Sequence, residues 1–342
     1  MGVEGLLGTD EERSARRLIE QAGALLSGGV PPGFVARLFD HAAPEDLVGY
    51  APEELAALAI AAWEFLAVRK PGAPKLRFVT PPLTRGEQLK NISIIEIAND
   101  DMPFLVDSVM GELSERGFAI CLVVHPVFAM RREVAGRLQQ LMTEGPTAGA
   151  GLRESFIHVH VERVEDEIVR TETIAALEAV LADVRVSVAD WRAMLGRVAE
   201  LIAALRADPP PLPVDEIAEA IQFLEWLAAA NFTFLGLREY SFAKDGELQP
   251  KFDSGLGVLR GRDVRELSPG ADEAVLKREI AAFFREPKAL IVTKSNLRSR
   301  VHRRALMDYV GVKRFDRDGN AVGETRIVGL LTSTAYTRST WT

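Results

Sequence analysis

Residues 89–132, LKNISIIEIANDDMPFLVDSVMGELSERGFAICLVVHPVFAMRR, decide the fold. The opening part alternates. Ile92, Ile94 and Glu96 share one face of an extended chain, and Ser93, Ile95 and Ile97 share the other. That period of two predicts a strand. After Pro103 the period changes, and Val106, Val109, Met110 and Leu113 form one stripe at helical spacing. Gly117 stands where a left-handed helix C-cap belongs. Residues 118–132 then read as a second strand.

The pattern extends on both sides. TEGPTAGAG (143–151) is a turn region, and ESFIHVHVERV (154–164) is a third strand, with Phe156, His158 and His160 against Ile157, Val159 and Val161. TETIAALEAVLADVRV (171–186) is a helix. The order β-α-β-β-α is most of a ferredoxin-like unit. Upstream, residues 10–69 read as helices, with Leu18, Ile19, Ala22 and Leu25 at helical spacing and Pro52 suited to a first helical turn. Downstream, 187–207 continues as helix, DPPPLP (208–213) is a stiff break, and VDEIAEAIQFLEWLAAAN (214–231) is a further helix. From Phe232 the pattern turns to strands, with DRDGN (316–320) as a hairpin signal.

Bulk properties narrow the function. The 342 residues suit two or three domains. A net charge of −8 gives no general attraction to nucleic acid or anionic membrane. Cys121 is the one cysteine, so no internal disulfide forms and a cytoplasmic location is the simplest expectation. The first 17 residues lack the apolar core of a secretory signal, and no run reaches the ~18 apolar residues of a membrane span. The chain stops at Thr342 directly after a strand, which reads as a cut inside a longer protein.

Four clusters are candidates for chemistry. Asn99, Asp100 and Asp101 precede a helix. Their first expected role is capping, since such side chains accept backbone N–H bonds there. The same strand-to-helix loop presents N–H groups to a ligand, so Asn99, Asp100, Asp101, Met102 and Asp107 are the candidate effector contacts. His158 and His160 share a strand face, and His125 on the next strand could add a third nitrogen. A half-exposed sheet face is nevertheless the leading expectation, and no metal is expected. KSNLRSRVHRR (294–304) concentrates Lys294, Arg298, Arg300 and Arg303, a candidate anion site without the interleaved aromatics of base stacking. GLGVLRG (255–261) carries Arg260 where a dinucleotide fingerprint needs glycine, so it reads as a turn. No catalytic motif is visible.

Together, several blocks resemble the N-terminal region of the large bacterial NAD-dependent glutamate dehydrogenases. They are PEDLVGYAPEELAALA, IEIANDDMPFLVDSVMGEL, HPVF, FLEWLAAANFTFLGLREY, GLGVLR and LIVTKSNLRSRVHRRALMDYVGVKRFD, in the family's order from about residue 40 onward. The resemblance implies a long homo-oligomeric enzyme whose front carries ACT-like regulatory modules. Its catalytic residues and NAD site would lie downstream, outside this chain. The implied reaction of the intact enzyme is oxidation of L-glutamate by NAD to 2-oxoglutarate and ammonium. The expected fold class is α+β: a helical region over 1–75, a first ACT-like unit over 76–186, a helical linker over 187–230 and a second, incomplete ACT-like β-rich unit over 231–342. The expected role is regulation and assembly, with an amino-acid effector as partner. The alternatives are a purely structural segment and an anion or nucleic-acid binder using 294–304.

Overall fold

The computed structural model describes residues 9–26, 29–82, 86–142, 151–243, 248–261 and 288–332. The chain forms two compact units, Met1–Leu181 and Ala182–Thr342. The first opens with helices α1 (Asp10–Ala24), α2 (Phe34–Phe39), α3 (Pro44–Leu47) and α4 (Pro52–Leu66). Thr9 and Glu12 close a reciprocal cap on α1: Glu12 N donates to Thr9 Oγ1 at 3.2 Å and Thr9 N to Glu12 Oε2 at 2.9 Å. The prolines of α3 and α4 sit in the first turn, where the missing N–H costs nothing.

These helices cover one face of a six-stranded sheet. Its strands are β1 (Lys75–Val79), β2 (Ile92–Asp100), β3 (Ile120–Val124), β4 (Val127–Arg132), β5 (Leu138–Leu141) and β6 (Leu152–Glu162), with helix α5 (Leu105–Glu115) between β2 and β3. The order is β1-β2-β6-β4-β5, with β3 also on β6, and every pairing is antiparallel. Phe34, Leu38, Leu55, Ala59 and Phe65 from the helices share a core with Ile92, Ile94, Phe128 and Phe156 from the sheet. Ile95 and Ile97 are buried on the opposite face.

Three details differ from expectation. The single strand over 118–132 is two strands, bent at His125–Pro126, because proline has no N–H for the ladder. The Pro126 carbonyl still accepts from Phe156 N at 3.0 Å. The buried stripe of α5 is Leu105, Ser108, Val109, Glu112 and Leu113, one position away from Val106 and Met110. Third, KLRFV (75–79), soon after the Pro-Gly turn at 71–72, forms an additional strand, β1, ahead of the expected first strand. The C-cap is as expected: Gly117 has φ +78°, and Phe118 N donates to Leu113 O at 3.1 Å.

Helix α6 (Glu167–Ala207) runs unbroken for 41 residues, with 187–207 continuing it as the sequence leads one to expect. No proline interrupts it before Pro209. In the second unit, α7 (Val214–Trp226) precedes β7 (Phe232–Phe242), β8 (Leu248–Gly257), β9 (Leu290–Arg298), β10 (Leu306–Phe315) and β11 (Ala321–Leu331). The sheet order is β8-β7-β11-β10-β9, all antiparallel. Met194, Val198, Ile217, Leu224, Leu237, Val310 and Ile327 form its core.

This order is not the split strand pair of the first sheet, so the second ACT-like arrangement expected for 231–342 is not the one seen in the described residues. A tight hairpin joins β10 to β11. At 316–320 the Asp316 carboxylate accepts from Asp318 N at 3.0 Å and Asn320 N at 2.8 Å, and Gly319 takes φ +83°. Among the described residues, no helix is long and apolar enough to cross a membrane.

Candidate functional site

The candidate site lies where β2 and β6 run side by side. Glu96 is opposite His158, Ile94 opposite His160, and Asp100 opposite Glu154. Period two turns all of these toward the helices α1–α4, into a face that is otherwise apolar. A charge there must be paired or it is strongly unfavourable. Two polar networks do this.

The first is a chain of hydrogen bonds. Arg77 Nε donates to Glu96 Oε2. His158 Nδ1 lies 3.1 Å from Glu96 Oε1, His158 Nε2 lies 2.7 Å from His160 Nε2, and His160 Nδ1 lies 2.7 Å from Tyr50 Oη. The two imidazoles are 1% and 0% exposed, so water does not complete their bonding. One proton order satisfies every neutral ring. Tyr50 O–H donates to His160 Nδ1, His160 Nε2–H to His158 Nε2, and His158 Nδ1–H to ionised Glu96.

Burial and neighbouring charge set the electrostatics of the groups along the chain. Burial opposes ionisation of Glu96, but the His158 hydrogen bond and then Arg77 outweigh it, and its pKa lies below the ordinary value. Burial, and then His158, push the His160 pKa well down. Burial, with Cys121, Glu54 and Asp46 nearby, raises that of the Tyr50 phenol.

The chain joins two openings. Arg77, Glu96 and His158 line a cavity of about 230 Å³ whose remaining wall is largely apolar, including Ala57, Leu58, Val79 and Leu89. Tyr50 lines an open cleft of about 670 Å³ with Asp46, Cys121, Glu162 and Arg163.

The second network is closed. Glu154 accepts from Arg69 Nε at 2.9 Å, from Arg132 Nε at 2.5 Å and from Arg132 Nη2 at 2.9 Å. Arg69 Nη2 donates to Asp100 Oδ1 at 2.7 Å and Arg69 Nη1 to the Ala73 carbonyl at 2.8 Å. Both guanidiniums are buried.

The expected residues fall as follows. Asn99 is buried at the end of β2, and its side-chain amide donates to the Asp100 carbonyl at 3.0 Å. Asp100 belongs to the closed network, and Asp101 Oδ2 accepts from Arg153 Nε at 2.9 Å. Met102 is half-buried and Asp107 exposed. The capping expectation is corrected: the α5 N-cap is Phe104, at φ +71°, without a side-chain cap bond. The aspartates are held by arginines instead, whose charge attracts them more strongly than a helix end does.

The half-exposed histidine face is also corrected, since both rings are buried under α1–α4. Their Nε2 atoms approach to 2.7 Å, closer than the ~3.3 Å that two ~2.0 Å zinc bonds at the tetrahedral angle impose. His125 Nε2 is bonded to Ser155 Oγ at 2.6 Å.

Residues of the basic run are spread over different partners. Lys294 pairs with Asp308 at 2.5 Å, Arg300 with Asp183 at 2.8 Å, and Arg303 donates to the Leu331 carbonyl, while Arg298 ends β9 opposite Leu306. GLGVLRG is the end of β8 (255–257) followed by a turn at 258–261, so the turn expectation holds for its second half. Asp190 receives Gly257 N at 2.8 Å and Arg260 Nη2 at 2.5 Å. Tyr50, Arg77 and Glu96 were missed as site residues. The available signal was Glu96 itself, a carboxylate on an inward face beside Ile92, Ile94 and Ala98.

Comparison with known proteins places the chain. A family model described as the glutamate dehydrogenase ACT1 domain matches residues 34–177. The NAD-specific glutamate dehydrogenase of Halomonas elongata is 33% identical over 310 residues, 89% of this chain. The chain belongs to the glutamate dehydrogenase family. The NAD-specific glutamate dehydrogenase of Pseudomonas aeruginosa is 30% identical over 90% of the chain. That of Mycobacterium tuberculosis is 28% identical over 49% of the chain and 10% of its own length. The chain spans 19% of the length of each of the first two. The ACT1 match runs from α2 into α6 and contains every member of both networks. Among solved structures, an RNA-binding light-oxygen-voltage receptor aligns at 11% identity over 89% of this chain and 88% of its own, with a TM-score of 0.17.

Proposed function

We propose that this chain is a regulatory and assembly segment of an NAD-dependent glutamate dehydrogenase, without activity of its own. The observation that supports it best is the ACT1 match over 34–177. The element order there fits a ferredoxin-like, ACT-like unit: β2 and the bent β3/β4 strand flank β6, and β1 takes the fourth-strand place beside β2. In this reading the intact enzyme oxidises L-glutamate with NAD to 2-oxoglutarate and ammonium in the cytoplasm. NAD and the catalytic residues belong to a region downstream of this chain, and the subunits form a homo-oligomer.

An amino-acid effector is the proposed ligand, with Asn99, Asp100, Asp101, Met102 and Asp107 as its contacts. Such an effector meets carboxylates already bonded to Arg69 and Arg153, so its binding must exchange those bonds. An effector acts only through a difference in affinity between two states of the whole enzyme.

The test is a panel of the common amino acids against this chain, read as thermal stability. A ligand at a hundredfold excess over its Kd stabilises by about 2.7 kcal/mol. No rise for any amino acid at millimolar concentration defeats the effector reading. In the full-length enzyme, loss of the oligomer on deleting 34–177, with effector response unchanged, favours a purely structural segment.

A further inference from the structure

We propose that the cavity beside Arg77 binds a small aliphatic carboxylate, and that binding takes up one proton onto His158 through the Tyr50–His160 chain. The inference goes beyond the regulatory reading and does not rest on it, because it concerns only residues of this chain.

The cavity, at about 230 Å³, equals roughly eight waters at ~30 Å³ each, the size of a ligand of about eight heavy atoms. Its wall is mostly alkyl: Ala57, Leu58, Val79, Leu89 and Ile94. Such a wall selects an apolar body with one polar end. The polar end of the cavity decides the sign. Glu96 is buried, and its two oxygens already accept from Arg77 and His158. Thr80 Oγ1 is bonded to Ser93 Oγ at 2.7 Å and to the Val164 carbonyl at 2.8 Å. Arg77 is different. Its side chain is 29% exposed, Nε serves Glu96 and Nη2 serves the Ala61 carbonyl at 2.8 Å, while Nη1 has no acceptor among the described residues. The open donor is thus a guanidinium N–H, and its natural partner is a carboxylate.

Charge balance then requires the proton. Arg77 and ionised Glu96 cancel, so an added carboxylate leaves one negative charge in a poorly solvated site. His158 is the group that can offset it, being bonded to Glu96 and lining the same cavity. The path is continuous. A solvent proton joins the Tyr50 oxygen from the open cleft. The original Tyr50 proton passes to His160 Nδ1, and the His160 Nε2 proton passes to His158 Nε2. His158 ends as imidazolium against Glu96, and every donor in the chain beyond it has reversed. The charged and titratable groups around this chain are Arg77 from β1, Glu96 from β2, Asp46, Glu54 and Cys121 near Tyr50, and Glu45, Glu162 and Arg163 in the cleft that Tyr50 lines.

The test is titration calorimetry of the 342-residue chain with 4-methylpentanoate, in two pH 7 buffers of different ionisation enthalpy. We expect saturable binding, with uptake approaching one proton per ligand. 4-Methylpentanamide and L-leucine, with the same carbon skeleton, should bind at least tenfold more weakly, since the first has no charge and the second adds an ammonium with no acceptor. Ala57→Leu fills the cavity without touching the polar chain and should abolish binding. His158→Gln should remove the proton uptake. Three results overturn the proposal: no heat at 10 mM ligand, equal binding of the amide or of leucine, or undiminished binding to a folded Ala57→Leu variant. Binding without proton uptake overturns its second half.

Discussion

Replacing Glu154 by Gln tests whether buried charge holds the first sheet together. Glu154 is 1% exposed, and its two oxygens receive three N–H bonds from Arg69 and Arg132. Glutamine keeps the shape but offers one acceptor and turns an NH2 toward a guanidinium. The carboxylate left beside the two buried cations is then Asp100, which is 30% exposed and pairs with Arg69. Breaking a buried pair in this way costs about 3–5 kcal/mol. At about 2–4 °C per kcal/mol for a unit of this size, the thermal midpoint of the first unit should fall by roughly 6–20 °C. Circular dichroism with heat and urea measures it. Asp100→Asn, which removes the exposed partner, should cost only about 1 kcal/mol. The combined change Arg69→Met, Arg132→Met and Glu154→Leu removes charge and partners together and should recover most of the loss. A Glu154→Gln protein within about 1 kcal/mol of the parent, or a triple variant as unstable as the single one, would refute this account of the network.

Three further outcomes follow from other parts of the fold. His160 and His125 both have pKa values lowered from 6.5, chiefly by burial. The unfolded chain therefore binds more protons, so their stabilisation is complete above pH 6.5 and is lost as pH falls toward the folded values. Stability should decline by up to about 1.4 kcal/mol per pH unit for each of them, and His160→Phe should remove one proton from that slope in urea titrations at pH 5 to 7. Gly257 has φ +59°, and a Cβ there would lie 2.0 Å from the Leu235 carbonyl, whereas Gly29 at φ +82° has open space. Alanine at 29 should cost about 1–2 kcal/mol, and alanine at 257 distinctly more, with equal costs counting against the clash. Asp190→Ala strands the Gly257 N–H and should destabilise the second unit by about 1–3 kcal/mol in denaturant titration, and a change below half of that removes Asp190 as the anchor of the turn.

Much of the architecture was legible, for reasons visible in particular residues. The alternation of Ile92–Ile97 and of Phe156–Val161, and the glycine at 117, each reflect local geometry, and those elements formed as expected. What was not legible depended on partners distant in sequence. Strand β1 alternates, but Lys75 and Arg77 make it look exposed until Glu96 is known to lie opposite Arg77. His158 and His160 looked like a half-wet face because their cover, Tyr50, lies 110 residues from His160. The aspartates before α5 looked like caps because Arg69 and Arg153, which hold them, come from other segments. A charged residue on an inward strand position announces that such a partner exists. It does not say where.

The two networks on β2 and β6 sit on one face of one strand pair, yet they differ in what they can do. Around Glu154 every guanidinium is fixed by carboxylate or carbonyl oxygens, and no proton in the cluster can move, because arginine does not release one at ordinary pH. Its free energy is spent on holding strands together. Around Glu96 the partners on one side are imidazoles and a phenol, which exchange protons along bonds already in place, and the guanidinium on the other side keeps one donor open to a cavity. A network that served only the fold would close, as the one around Glu154 does. The open donor and the chain of exchangeable protons at Glu96 therefore carry the proposed carboxylate site, a second place on the same strand pair besides the aspartates before α5 proposed to meet an effector.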